Sequence, residues 1–351
     1  GFGVRGVRLY TDGIPASMPD GQGQVSHFDL AGAQRVEVLR GPFSVLYGNS
    51  SGGVIAAVSA PVRAGHIETG LDIGEYGLRQ WRVTAAAPLG DGFEARVGAS
   101  GLEWDGFRPQ SSASKTSANA RLAWQGERDR VIVLASVLDQ PADDPLGLTR
   151  AQFDADPYQT TPQATQFDTR KTLAQQQAGA RWTHRFTNAG PLADSAVTAY
   201  FGERSVTQWL AIAAGTQGNP RHGGGVIDFD RTYDGVDARL TWRFGSAALV
   251  TGAAIERQRD DRRGYLNYTG TVASPNYGVI GAQRRDENNS ATTRDVYAQA
   301  ELPLGESFAV SGGVRTGKVK LDASDNYLSN GDDSGRRDFS YTNPVLGVRW
   351  Q

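Results

Sequence analysis

From residue 65 to the end the chain keeps a period of two. Val236, Ala238, Leu240, Trp242 and Phe244 alternate with Asp237, Arg239, Thr241 and Arg243. The same alternation runs through Val296, Ala298, Ala300 and Leu302, through Phe308, Val310, Gly312 and Val314, and through Phe93, Ala95, Val97 and Ala99. Successive side chains of a strand point to opposite faces, so one apolar position in two marks a strand with one greasy face. About twelve such strands are expected across roughly 290 residues, with turn residues separating them. Their second face is too polar for a packed core. Gln175, Gln177, Arg181, Thr183 and Arg185 on one strand, and Asp237, Arg239 and Arg243 on another, suit a wet or plugged interior.

The connections alternate in length. Short turns are expected at 88–92, 126–129, 187–193, 245–246 and 303–306, and long loops at 104–114, 140–170, 211–225, 260–290 and 322–337. Short turns at one end and long loops at the other is the layout of a transmembrane β-barrel. One connection departs from it, the tight turn at 75–77, where a long loop is due. Trp124, Trp182 with Phe186, Trp242 with Phe244, and Trp350 fall near strand ends, and the first three groups lead into short turns. Amphipathic rings gathered at one level form a girdle at a membrane interface. A soluble β protein would share the alternation but has no use for a girdle and one-sided loops.

The first sixty residues are of another kind. Between two strand-like pieces, 36–39 and 54–58, lies a turn-rich stretch with Arg40-Gly41-Pro42, Ser44, Leu46-Tyr47-Gly48 and Gly52-Gly53. Glycines this dense permit positive φ, so a compact knot is expected there. Upstream, Val7 to Tyr10 reads as a strand entering the turn Thr11-Asp12-Gly13-Ile14-Pro15, and Met18-Pro19-Asp20-Gly21-Gln22-Gly23-Gln24 is a polar loop.

Composition narrows the classes. With 36 basic against 38 acidic residues and a net charge of −2, the chain has no basic surplus for a nucleic-acid partner. Cysteine is absent, which removes disulfides, thiolate metal sites and a cysteine nucleophile. No 18-residue apolar run provides a transmembrane helix, a fact that leaves a barrel untouched. The chain opens at Gly1 without a signal-peptide pattern, so this start is expected to lie inside a longer product.

Catalytic patterns fail in context. Gly48-Asn49-Ser50-Ser51-Gly52 fits G-x-S-x-G, but β-branched residues follow where a nucleophile elbow needs a helix. Gly1-Phe2-Gly3-Val4-Arg5-Gly6 fits the dinucleotide fingerprint, yet it too precedes a strand. His27, His66, His184 and His222 have no ligand spacing, and Asp332-Asp333 lacks the spacing of a calcium loop. No catalytic residue, metal site or cofactor is expected, and the chain is not expected to be an enzyme. Arg257, Arg259, Arg262 and Arg263 interleave with Asp260 and Asp261, as either a self-neutralising loop base or a rim that attracts an anion.

The knot resembles the plug-domain signature of TonB-dependent outer-membrane receptors, in Arg35, Glu37, Arg40-Gly41-Pro42, Ser44, Leu46-Tyr47-Gly48 and Gly52-Gly53-Val54-Ile55. Residues 7–15 resemble the strand and turn before the plug's ligand-facing loop. Ferric-siderophore and ferric-citrate receptors are the most similar subfamilies. The resemblance implies the C-terminal part of a plug (1–62), followed by the first part (63–351) of a 22-stranded barrel in the outer membrane. It implies active uptake of a ferric chelate as cargo, energised by TonB, by a monomer set in lipid. Met18, Pro19, Asp20, Gln22 and Gln24 would face the ligand, and Arg40, Glu37 and Arg5 would anchor plug to wall. The TonB box, the first half of the plug and the later strands are absent from this sequence, so a fragment is expected. A passive porin or structural barrel is the alternative.

Overall fold

A computed structural model describes residues 6–21, 32–39, 44–48 and 52–350. Four strands form a small mixed sheet at the N-terminus: β1 (Val7–Thr11), β2 (Ile14–Pro15), β3 (Ala33–Leu39) and β4 (Gly53–Ser59), in the order β2-β1-β4-β3. β1 runs parallel to β4, and β3 antiparallel to it. The one-turn helix α1 (Ser44–Tyr47) lies between β3 and β4, where the glycine-rich knot was expected. Gly53 is required there: its φ is +124°, and a Cβ would stand 2.6 Å from the Leu39 carbonyl oxygen. Tyr47 packs its ring edge-on against Tyr10, with centroids 5.2 Å apart, and the Gly52 amide donates to the Gly6 carbonyl at 2.7 Å.

The rest is one antiparallel sheet. Its strands are β5 (His66–Ile73), β6 (Arg79–Gly90), β7 (Phe93–Trp104), β8 (Ala113–Gln125), β9 (Asp129–Asp139), the short β10 (Ala142–Asp143), β11 (Arg170–Arg185), β12 (Leu192–Trp209), β13 (Val226–Phe244), β14 (Ala247–Tyr265), β17 (Gln283–Leu304), β18 (Phe308–Asp325) and β19 (Gly335–Trp350). The twelve long strands agree with the expected number. The sheet curves around the N-terminal unit, which sits against its inner face, and it runs from β5 at one edge to β19 at the other. A hairpin of β15 (Tyr268–Thr271) and β16 (Ser274–Tyr277) fills the loop after β14.

Short turns and long loops alternate as the sequence suggests, and 74–78 is indeed a tight turn. The girdle forms at the short-turn end. Phe93 lies 6.1 Å from Trp124, Phe308 stacks on Trp350 at 6.2 Å, and His184 fits between Trp182 and Phe186. His184 and Trp182 both reach Asp129 at 2.8 Å, so this histidine serves the rim. No helix is long and apolar enough to cross a membrane.

One loop expected to be long, 260–290, is largely strand. β14 continues to Tyr265 and β17 begins at Gln283, so Arg257 to Arg263 do not form a loop base. They alternate faces: Asp260 and Arg262 point inward, whereas Arg257, Arg259, Asp261 and Arg263 point outward. Charged runs were read as loop, but a strand that rises above the membrane meets water outside and a polar lumen inside. There both faces tolerate charge.

Candidate vestibule and plug anchors

The inner wall holds the N-terminal unit by charged and polar contacts at several heights. Toward the short turns, Arg315 donates from Nη1 to the Val45 carbonyl of α1 at 3.0 Å, while its Nη2 pairs with Asp295 at 2.6 Å and Tyr341 donates to that same carboxylate. Higher, Arg8 of β1 pairs with Glu256 of β14, whose carboxylate also accepts from the Tyr200 hydroxyl. Arg8 is 2% exposed. Burial, the largest single influence, pulls its guanidinium down, but the Glu256 carboxylate together with Tyr10 and Tyr200 outweighs it and holds the guanidinium well above its ordinary value.

Arg121 is a second junction. It donates to Asp12 at 3.0 Å and to Glu94 at 2.6 Å. Asp12 in turn accepts from the Ser59 amide, and Glu94 from the Val62 amide, both at 2.8 Å. One guanidinium thereby links the turn after β1, the end of β4, the linker and the barrel wall. Arg96 donates to the carbonyls of Gly32 and Ala60, and Gln177 to that of Pro15 at 2.7 Å. Ile14 and Met18 fill the gap between unit and wall against Tyr200 and Tyr233. The approach there is close: a Cβ on Gly179 would stand 2.7 Å from Ile14.

The residues singled out from sequence separate into distinct places. Met18 is 1% exposed and Pro19 is buried, so Met18 seals the plug against the wall and does not face the mouth. Asp20 reaches the wall at the top of the unit, where Arg231 donates to it at 2.9 Å and to Asp260 at 2.7 Å. Gln22, Gln24, Arg5, Arg40, Gly41 and Pro42 lie outside the described residues. Glu37 is partly exposed on β3, and its ion pair is with Arg35 of the same strand at 2.6 Å, not with the wall. Sequence reading passed over Arg8, Asp12 and most of the barrel arginines. The available signal was an arginine set among the apolar residues of Val7-Arg8-Leu9-Tyr10, two positions from Tyr10 and hence on its face.

Above Asp20 the lumen opens into a cavity of about 660 Å³ lined by Asp20, Gln258, Asp260, Asn289, Leu321 and Arg337 among others. Register fixes which side chains face it. Gln175, Arg204, Arg231, Asp260 and Asn289 stand in one row across five strands. On the same inner face, toward the long loops, lie Lys115, Lys171, Arg262, Arg285 and Arg337. The inward acids at this height on β8 to β19 are Asp260, Glu287 and Asp325, joined by Asp20 of the plug. The balance is positive. A hollow of about 430 Å³ on the outer wall, among Ala118, Ala120, Ala135, Ala178 and Phe201, is apolar and faces away from the lumen.

Three long loops frame the mouth as one piece. Asn267, which is fully buried, donates from Nδ2 to the carbonyls of Phe167 and Leu210, donates its amide to Gln217 and accepts from the Gly278 amide. Phe167 packs on Tyr277 at 4.4 Å, beside the short helices α2 (Arg150–Ala155), α3 (Pro162–Phe167) and α4 (Ala214–Gln217). Asn267→Ala removes three of these bonds and strands their partners in a dry site, at about 1–3 kcal/mol for each buried group left unpaired. The expected result is faster amide exchange in 160–169, 210–218 and 266–278 together, with the barrel strands unchanged; exchange confined to 266–278 would refute the junction. Among the described residues no group of three or more His, Asp or Glu gathers to hold a metal ion.

A family model described as "TonB dependent receptor-like, beta-barrel" matches residues 91–351, and one described as "TonB-dependent Receptor Plug Domain" matches residues 1–54. Among solved structures, the chain is similar to the ferric citrate transporter FecA in its unliganded form, at 19% identity and TM-score 0.74, over 98% of this chain and 51% of that one. It is similar to the siderophore receptor PiuA from Acinetobacter baumannii at 14% identity and TM-score 0.75, over 100% and 56%. The copper transporter OprC matches at 16% identity and TM-score 0.72, over 99% and 52%. At these identities the likeness is one of fold, and the chain spans about half the length of each of the three.

Proposed function

Because the chain belongs to the TonB-dependent receptor family, we propose that it forms plug and wall of an importer for an anionic ferric chelate, citrate-like or a carboxylate-bearing siderophore. Members of the family are outer-membrane β-barrel receptors, not enzymes, and this chain is an outer-membrane protein. The observation that carries the proposal is the surplus of cations on the inner face above the plug, where Lys171, Arg204, Arg231 and Arg262 stand on β11 to β14, beside a cavity whose own lining includes Asp20, Asp260, Arg336 and Arg337. Cations on a concave wall of low dielectric raise the local concentration of an anion and hasten its capture. The chelate is cargo, and uptake draws its energy from TonB.

The plug then runs to residue 62, where the strand-free segment 60–65 leads into β5. Asp20 with Gln22 and Gln24 forms the part of the apex that meets the chelate. Arg5 and Arg40, which adjoin β1 and β3, add anchors of the kind that Arg8 makes. Glu37 is the weaker assignment, given its pairing within β3.

Titration of the full-length receptor with ferric citrate and with a neutral ferric hydroxamate checks the reading. The anionic chelate is expected to bind at least about tenfold tighter, with the preference shrinking as salt shortens the reach of the charges. Equal binding of the two would remove the charge class. Steady ion conductance across a bilayer with no energy source would favour a passive pore instead.

A further inference from the structure

The seam between plug and wall carries an excess of hydrogen-bond donors. Beside β1 and α1 it encloses a cavity of about 30 Å³, lined by Arg8, Tyr10, Tyr47, Asp237, Arg239 and Glu256 among others. Arg8 meets Glu256 through Nη2, while its Nε and Nη1 are buried with no partner among the described residues. The Tyr10 hydroxyl, on a side chain 7% exposed, has the Tyr47 carbonyl as its acceptor at 3.5 Å, too long to satisfy it. Arg8 and Tyr10 thus bring three underused donors to one small cavity.

The acceptors nearby are taken. Glu256 accepts from Arg8 and from the Tyr200 hydroxyl, and Asp237 from Arg239 at 3.2 Å and from the Tyr297 hydroxyl at 2.8 Å. Charge points the same way. Register sets Arg181, Asp237 and Asp295 in one inward row, with Arg239 and Arg315 in the next. Arg315 pairs with Asp295, and Arg239 with Asp237. Arg181 has no ion pair among the described residues. It lies over Gly13 of the plug, whose carbonyl accepts from it at 3.4 Å, and a Cβ on Gly13 would collide with its guanidinium. Arg8, Arg181, Arg239 and Arg315 therefore stand against Asp237, Glu256 and Asp295, four cations against three carboxylates. A positive charge left uncompensated in a largely dry seam is costly.

We propose that this cavity binds one monatomic anion, chloride in an ordinary medium, which accepts from Arg8 and Tyr10 and balances Arg181. The volume gives room for one halide or about two waters, and a phosphate or a carboxylate-bearing chelate is too large for it. Water suits the place less well, because its own hydrogens need acceptors and the carboxylates beside it are engaged. The ion acts as a removable brace between β1 and the wall, so the plug's seat tightens as chloride rises. The site is separate from the vestibule and does not depend on which chelate is carried.

The test uses crystals of the full-length receptor grown with bromide in place of chloride and measured at the bromine absorption edge. An anomalous peak within hydrogen-bond reach of Arg8 and Tyr10 is expected, and so is its loss in Arg181→Gln. Amide exchange over 7–11 in chloride and in gluconate, at equal ionic strength, supplies the functional readout. Opening is expected to be about tenfold rarer when chloride stands at about ten times its Kd, and equal in the two salts for Arg181→Gln. Lys320→Gln, which removes a cation on the outer face, should keep both the peak and the chloride effect, and heat-modified gel mobility reports that each variant is folded. Water alone in the cavity, or a carboxylate of the chain seated there, would overturn the proposal. So would exchange that is the same in chloride and gluconate, since a bromide peak without that effect marks an adventitious ion only.

Discussion

Glu256→Leu in the full-length receptor is expected to unseat the plug. The change leaves the Arg8 guanidinium buried without its counter-charge, and takes from the Tyr200 hydroxyl its acceptor. Two further nitrogens of Arg8, Nε and Nη1, have no partner among the described residues to take up the loss. Removing one partner of a buried pair costs about 3–5 kcal/mol, so the population of loosened plug should rise by two orders of magnitude or more. Amide exchange over 7–11 and 53–59 is the direct measure, and ion leakage through a reconstituted bilayer is the functional one. The double variant Arg8→Met/Glu256→Leu discriminates a charge effect from a packing effect. It should recover most of the loss, because an apolar replacement of a buried pair is often neutral. Unaltered exchange in Glu256→Leu would show that the pair does not seat the plug.

Arg231→Gln is expected to weaken binding of an anionic chelate by about tenfold to a hundredfold. Arg231 holds Asp20 of the plug and Asp260 of the wall together, so its loss leaves two carboxylates facing one lumen and turns the local charge negative. The sign can be checked independently. Asp20→Asn removes a negative charge while keeping shape, and should leave affinity equal or raise it by a few fold, even though it also removes a tie between plug and wall. Should both variants lower affinity equally and without salt dependence, the tie would matter and the charge would not. The two variants therefore separate an electrostatic vestibule from a merely mechanical contact.

The two results bear on one design. A plug held mainly by hydrophobic packing would be hard to move, whereas charge pairs contribute little net stability but fix position strongly. The described contacts follow the second pattern. Arg8, Arg121, Arg231 and Arg315 each bridge plug and wall, while the apolar cluster between the two is small, with Ile14 and Met18 against Tyr200 and Tyr233.

Much of the architecture was legible before any coordinates. Alternation in 236–244 and 308–314 is written in consecutive residues, because a strand's two faces repeat every second position. The one-sided loops and the tryptophans beside short turns are likewise local features. The glycine-rich signature placed the knot, although Arg40, its most conspicuous residue, lies outside the described positions.

The partnerships were not legible. Arg8 and Glu256 stand 248 positions apart, and nothing local in either stretch announces the other. Met18 looked like part of an open polar loop because its neighbours are polar, yet the wall's tyrosines bury it. The run from Arg257 to Arg263 shows the division most clearly. Its charges are plain in the sequence, but their meaning depends on alternation in a strand that extends further than composition suggests. Asp260 and Arg262 turn into the lumen, and Arg257 and Arg259 turn to the outer face. Sequence by itself determined the strands, the girdle and the plug because those depend on short-range periodicity and backbone freedom. Only the tertiary structure decided which charges meet across the lumen and which stand on the outer face, because Coulomb interactions act between groups that the chain brings together from far apart.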